Sequence, residues 1–305
     1  MSKGWMVLSL LLSGVAVAMG AAAWYFLKRP LALLAWGTRR SLIATGLQKR
    51  VVETPAGPQA VFVGGSGPVL VLLHGAGDHA GTWAHPAKAL AKDYSLVIPD
   101  LAGHGDSAPA TGPIDAAQIY AGIEAVLASQ APGQPVTLVG NSLGAWMALV
   151  VAQRQPDRVT KVVAVNGGPL LGTNTKVRML PTNREEARAT MAQLRDASSP
   201  ALPDHVLDDL VRVTQTGPLA RFAATAMTMG PWLLTEDQLR ELRPPVRLVW
   251  GTSDELMPLD YAQRMLAALP DAALIPIERC GHVPQQEAPA RFLAALLQAL
   301  DEAPQ

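Results

Sequence analysis

Val136-Thr137-Leu138-Val139-Gly140-Asn141-Ser142-Leu143-Gly144-Ala145-Trp146-Met147 is the stretch that decides the fold. A short apolar run enters G-x-S-x-G and continues into the helical pattern Ala145–Gln155. A serine at such a strand-to-helix turn is held in a strained backbone conformation with its hydroxyl exposed. The flanking glycines are needed because side chains there would collide with neighbouring backbone. The helix behind Ser142 aims free N–H groups at any negative charge developing in front of it. The spacing alone could arise by chance among 26 glycines, but the strand before it and the helix after it make it specific.

A serine hydroxyl needs a base within hydrogen-bond reach. Of the six histidines, His282 in Arg279-Cys280-Gly281-His282-Val283-Pro284 lies between the last expected strand and the last helix. That puts it at the same sheet edge as Ser142. His74 ends a strand and its neighbours suggest another task, while His79, His85, His104 and His205 read as solvated or packed. An orienting carboxylate is supplied by Asp254, just past Val246–Trp250, with Asp260 as runner-up. The order Ser142, Asp254, His282 is the one expected for a hydrolase built on the strand–elbow–helix turn. Oxyanion donors are expected from Leu143 N–H and from the loop His74-Gly75-Ala76-Gly77-Asp78, with Ala76 N–H first and Gly77 second. No H-x₃-H, H-E-x-x-H or Cys/His spacing supports a metal, so none is expected.

Outward from this stretch the chain alternates short apolar runs with helical patterns. Strands are expected at Val51–Thr54, Ala60–Val63, Val69–His74, Ser95–Pro99, Val136–Gly140, Val159–Asn166, Val246–Trp250 and Ala272–Ile277. Continuous apolar runs such as Val69-Leu70-Val71-Leu72-Leu73 suit strands buried on both faces. The expected fold class is therefore α/β, a mostly parallel eight-stranded sheet with helices on both faces. Helices are expected at 115–130, 142–155, 259–269 and 288–300. Between Gly167 and Arg243 the alternation lapses into helices and turns rich in methionine and aromatics, which reads as a helical cap. The expected organisation is 1–29 membrane anchor, 30–50 juxtamembrane segment, 51–166 first part of the core, 167–243 cap and 244–305 second part of the core.

Lys+Arg and Asp+Glu are balanced at 25 each, which argues against a nucleic-acid partner held by a basic surface. Hydrophobic content is 49% and charged content 16%, which excludes a disordered chain and hints at a membrane segment. One cysteine rules out an intrachain disulfide framework. From Gly4 to Leu27 no residue is charged, and as a helix this run would reach roughly 36 Å, enough for a hydrocarbon core of about 30 Å. A single-pass anchor is expected, with membrane lipid as partner. The rival is a signal peptide cut after Ala16-Val17-Ala18. Lys28, Arg29, Arg39, Arg40, Lys49 and Arg50 on the C-terminal flank tip the orientation toward a cytoplasmic catalytic domain, with the secreted or periplasmic side as the alternative. Residues 31–47 suit either a first packed helix or a membrane-surface helix.

From about residue 45 to 300 the chain resembles the α/β-hydrolase superfamily. The motifs are Leu72-Leu73-His74-Gly75, Pro99-Asp100-Leu101-Ala102-Gly103-His104-Gly105-Asp106-Ser107, the Ser142 elbow, Trp250-Gly251-Thr252-Ser253-Asp254 and Gly281-His282. Within it the chain is most similar to membrane-anchored lipase/esterase members related to monoacylglycerol lipases. That resemblance implies an α/β-hydrolase fold and carboxylic-ester hydrolysis through an acyl-enzyme without a cofactor. It implies a small-molecule or lipid-derived acyl ester as substrate, and a structural role for Asp100 and Ser107. Ala145 stands where many members have a second glycine, and bulky Trp146 follows, with changed helix packing rather than changed chemistry the expected consequence. The alternatives are acyl transfer, or thioester or C–C hydrolysis, on the same triad, and a non-catalytic binding module.

Overall fold

The computed structural model describes residues 27–172, 174 and 176–301, with short pieces at 12–15, 19, 20, 24 and 25 ahead of them. All eight expected strands form: β1 Gln48–Thr54, β2 Gly57–Gly65, β3 Val69–Leu73, β4 Ser95–Pro99, β5 Val136–Asn141, β6 Val159–Val165, β7 Val246–Gly251 and β8 Ala272–Ile277. Their order is β1-β2-β4-β3-β5-β6-β7-β8. β2 runs antiparallel to both β1 and β4, and every other pairing is parallel. β3, all five residues buried, sits between β4 and β5, where the order of strands reverses along the chain. Open α/β sheets offer a crevice beyond the carboxyl ends of their strands at such a point.

Helices cover both faces because each face of the sheet is apolar. One side buries Val71, Leu138 and Leu248 with Ile119, Ile123 and Met147, and the other buries Leu70, Val139 and Val249 with Trp83, Phe292 and Leu296. Four expected helices form with ends within a residue or so, at Ala116–Gln130, Leu143–Arg154, Leu259–Ala268 and Pro289–Asp301. Asp115 caps the first of these in a reciprocal arrangement with Gln118. The short helix Ala84–Leu90 and the single turn Ala80–Trp83 lie between β3 and β4, where the apolar pattern is too short to announce a helix. Among the described residues between β6 and β7 no strand forms. That insertion holds the helices Arg184–Leu194, Asp204–Thr216, Pro218–Ala223 and Glu236–Arg240.

The single-pass anchor expected over residues 1–29, and with it the membrane localisation and its orientation, is corrected. Among the described residues no helix is long and apolar enough to cross a membrane. Arg29 leaves helical geometry, and Pro30 opens a separate helix, Pro30–Ala44, of 15 residues with Arg39 and Arg40 inside it. At about 1.5 Å per residue that helix falls short of a hydrocarbon core of about 30 Å. Most of residues 1–29, including the alternative cleavage site at 16–18, lies outside the described residues. Pro30–Ala44 is a packed helix: Leu42 is buried, Arg39 reaches Asp100 at 3.6 Å, and Leu31 N–H donates to Asp209 of the insertion at 3.0 Å.

Candidate active site

Because β3 and β5 to β8 are parallel, their carboxyl ends meet one edge, and every expected site residue lies just beyond one of them. Ser142 follows β5 with φ 54, a left-handed conformation that a non-glycine residue seldom adopts. The turn closes tightly: a Cβ on Gly144 would stand 2.1 Å from Leu73 O, so a side chain there would drive the helix Leu143–Arg154 away from β3. Leu143 is the first residue of that helix, which leaves its N–H without an intrahelical acceptor.

His282 and Asp254 are brought together directly. His282 Nδ1 lies 2.7 Å from Asp254 Oδ2, and both residues are almost fully buried, at 4% and 3% exposure. Asp254 Oδ1 accepts from Leu256 N at 2.9 Å and Met257 N at 3.0 Å. With the carboxylate as acceptor, the proton of a neutral His282 ring is assigned to Nδ1, leaving the Nε2 lone pair free to take another. Ser142 reaches this pair through its neighbour, since Asn141 Nδ2 donates to His282 O at 3.0 Å. No hydrogen bond joins the Ser142 hydroxyl to the His282 ring, a contact that commonly tightens only with substrate in place. Gly75 lies against Ser142, and a Cβ built on it would stand 3.3 Å from Ser142 Cβ. Ala76 is the next residue, in the turn where Asp78 N donates to Gly75 O.

The runner-up Asp260 is exposed in the first turn of Leu259–Ala268. His74 is buried, with Nδ1 against Gly75 O and Nε2 accepting from Leu101 N, and burial holds it well below an ordinary histidine's range. Asp100 is structural: its oxygens accept from Ala80 N and Asp106 N, and its carbonyl accepts from Ser107 Oγ. Trp146 turns outward to the insertion, its indole N–H donating to Trp232 O at 2.7 Å. Burial pushes the Cys280 thiol up to about 12, which leaves it little thiolate character. Among the described residues no cluster of His, Cys, Asp and Glu could hold a metal ion.

Two groups at the site escaped the reading of the sequence. Asn166, after β6, is fully buried with φ 42; its Nδ2 donates to Asp254 Oδ2 at 2.8 Å and its Oδ1 accepts from Gly251 N at 2.9 Å. Asparagine is among the few side chains that tolerate that backbone, and its place before Gly167-Gly168 at a strand end was the available signal. Gln285 donates to Asn141 Oδ1 at 3.1 Å and so braces the residue before Ser142.

Residues 70–295 match the family described as the alpha/beta hydrolase family. The chain belongs to that family. A pimeloyl-[acyl-carrier protein] methyl ester esterase of Aromatoleum aromaticum is 32% identical over 71% of this chain and 92% of its own. A 2-hydroxy-6-oxononadienedioate/2-hydroxy-6-oxononatrienedioate hydrolase of Cupriavidus pinatubonensis is 26% identical over 73% of this chain and 83% of its own. Among solved structures, a bacterial membrane phospholipase A superimposes with a TM-score of 0.75 at 24% identity, covering 98% of this chain and 100% of its own. At that identity the likeness establishes the fold alone.

Proposed function

We propose that this alpha/beta hydrolase cleaves carboxylic esters through an acyl-enzyme formed on Ser142. The observation that carries the reading is the buried His282–Asp254 pair at 2.7 Å, beside a serine held at φ 54 on the same sheet edge. Ser142 Oγ attacks the ester carbonyl while His282 Nε2 takes its proton. Asp254 holds the ring's orientation and stabilises the imidazolium. Leu143 and Ala76 N–H groups receive the oxyanion, each donor contributing about 2.7–4 kcal/mol to the transition state in comparable sites. His282 returns its proton to the leaving alcohol, and a water activated by the same ring releases the acid.

Small-molecule or lipid-derived acyl esters are the proposed substrate class. The esterase relative supports ester cleavage. Trp146, one turn into the helix after Ser142, packs edge-on against Phe222 of the insertion with ring centroids 6.2 Å apart, and apolar side chains of this kind suit an acyl chain. A series of p-nitrophenyl esters of increasing chain length, run with and without an alcohol acceptor, tests the reading. Hydrolysis that saturates and vanishes in Ser142→Ala supports it. Product that goes mainly to the acceptor, or cleavage confined to thioesters or to C–C bonds of the kind named for the Cupriavidus relative, would replace it.

A further inference from the structure

The helical insertion grips both loops that carry the proposed acid and base. At the C-terminal end of the helix Arg184–Leu194, Leu194 O accepts from His282 N at 2.8 Å and Gln193 O accepts from Glu255 N at 3.0 Å. A Cβ on Gly281 would stand 2.1 Å from Leu194 O, so glycine is what lets the two backbones lie so close. Side chains complete the grip. Ser253 Oγ, next to Asp254, donates to Asp196 Oδ2 at 2.6 Å. Glu287, one turn beyond His282, accepts from Gly281 N at 2.6 Å on Oε2. On Oε1 it accepts from Asp196 N at 2.8 Å and from Ser199 Oγ. Its carboxylate, which also accepts from Cys280 Sγ at 3.9 Å, thus joins two donors of the histidine loop to two donors of the insertion.

We propose that Glu287 is a positioning residue: together with the Ser253–Asp196 bond it fixes the insertion against both loops, so that His282 and Asp254 stay in register. The proposal rests on the reading of Ser142, Asp254 and His282 as a triad. A carboxylate is required because all of these partners are donors. Glutamine offers a single acceptor oxygen and turns an N–H2 group toward a donor on the other side. Glu287 reaches no reacting atom, so its effect passes through the placement of the His282 loop.

The test compares wild type, Glu287→Gln and Ser253→Ala. Each is titrated with a fluorophosphonate to count competent sites, and p-nitrophenyl butyrate acylation is then followed per competent site. Glu287→Gln is expected to slow acylation per site about tenfold to a hundredfold, with KM changed less than about twofold. Ser253→Ala is expected to move the same way by a smaller factor. If Glu287→Gln does not fold, Ser253→Ala decides on the same readout. A lower count of sites that each react at the wild-type rate would mean a merely structural role and overturn the proposal, as would unchanged rates in whichever variants fold. A wild type that the fluorophosphonate fails to label would instead overturn the triad reading itself.

Discussion

Replacing Asn166 by alanine takes away the hydrogen bonds that its amide makes to Gly251, at the end of β7, and to Asp254 just past it. Asp254 Oδ2 loses a donor at 2.8 Å and the Gly251 N–H loses its acceptor at 2.9 Å. A hydrogen bond to a charged group contributes about 1.5–3 kcal/mol, and a buried donor left without a partner costs about 1–3 kcal/mol. Alanine at φ 42 adds about 1 kcal/mol of backbone strain. Because these contributions share one site they do not simply add, and a loss of about 3–5 kcal/mol is expected. Asn166→Gly relieves the strain and should recover about 1 kcal/mol of it. Acylation should suffer less than stability. Asp254 Oδ1 keeps its bonds from Leu256 N and Met257 N, so the carboxylate stays near His282. A fall of about tenfold, equivalent to about 1.4 kcal/mol, is predicted. Urea unfolding and single-turnover acylation measure the two effects. Asn166→Ala within about 0.5 kcal/mol of wild type, with full acylation, would refute the role given to this residue.

Stability should fall in mild acid. Burial lowers His104 from 6.5 to about 4, so between those values the unfolded chain binds more protons than the folded one. Its contribution, about 3 kcal/mol, is complete above about pH 6.5 and is lost as pH falls toward 4. Asp78, raised by burial to about 6, acts in the opposite sense, losing stability as pH rises from 3.8 toward that value. Urea midpoints at pH 4.5 and 7 should therefore lie closer together in His104→Gln than in wild type; an equal gap would remove His104 from the account. Arg221 of Pro218–Ala223 donates to the carbonyls of Gly103, Pro109, Thr111 and Gly112. Arg221→Ala should loosen this part of the insertion and expose residues 217–234 to limited proteolysis. Arg221→Lys should protect only partly, because a point charge cannot span four acceptors; wild-type protease resistance in Arg221→Ala would contradict this.

The sheet was legible because strands such as β3 and β5 are buried on both faces, which demands the unbroken apolar runs that the sequence shows. The positions of Ser142, Asp254 and His282 were legible for a related reason: each follows a parallel strand, and parallel strands present their carboxyl ends to one edge. Asn166 and Glu287 were hidden because their partners are distant in the chain, Asp254 for one and Asp196 for the other. No local spacing encodes such a contact. By hydropathy alone the uncharged run Gly4–Leu27 reads as one span, whereas the helix that follows begins afresh at Pro30 and packs on the fold.

The central claim is that Ser142 is a nucleophile activated by His282. Fluorophosphonate treatment followed by mass mapping of the modified peptide tests it most directly. The account predicts one adduct, on Ser142, that is absent in Ser142→Ala and forms slower by about 10⁶-fold in His282→Ala. An adduct on another residue, or labelling of Ser142 at full rate without His282, would contradict it.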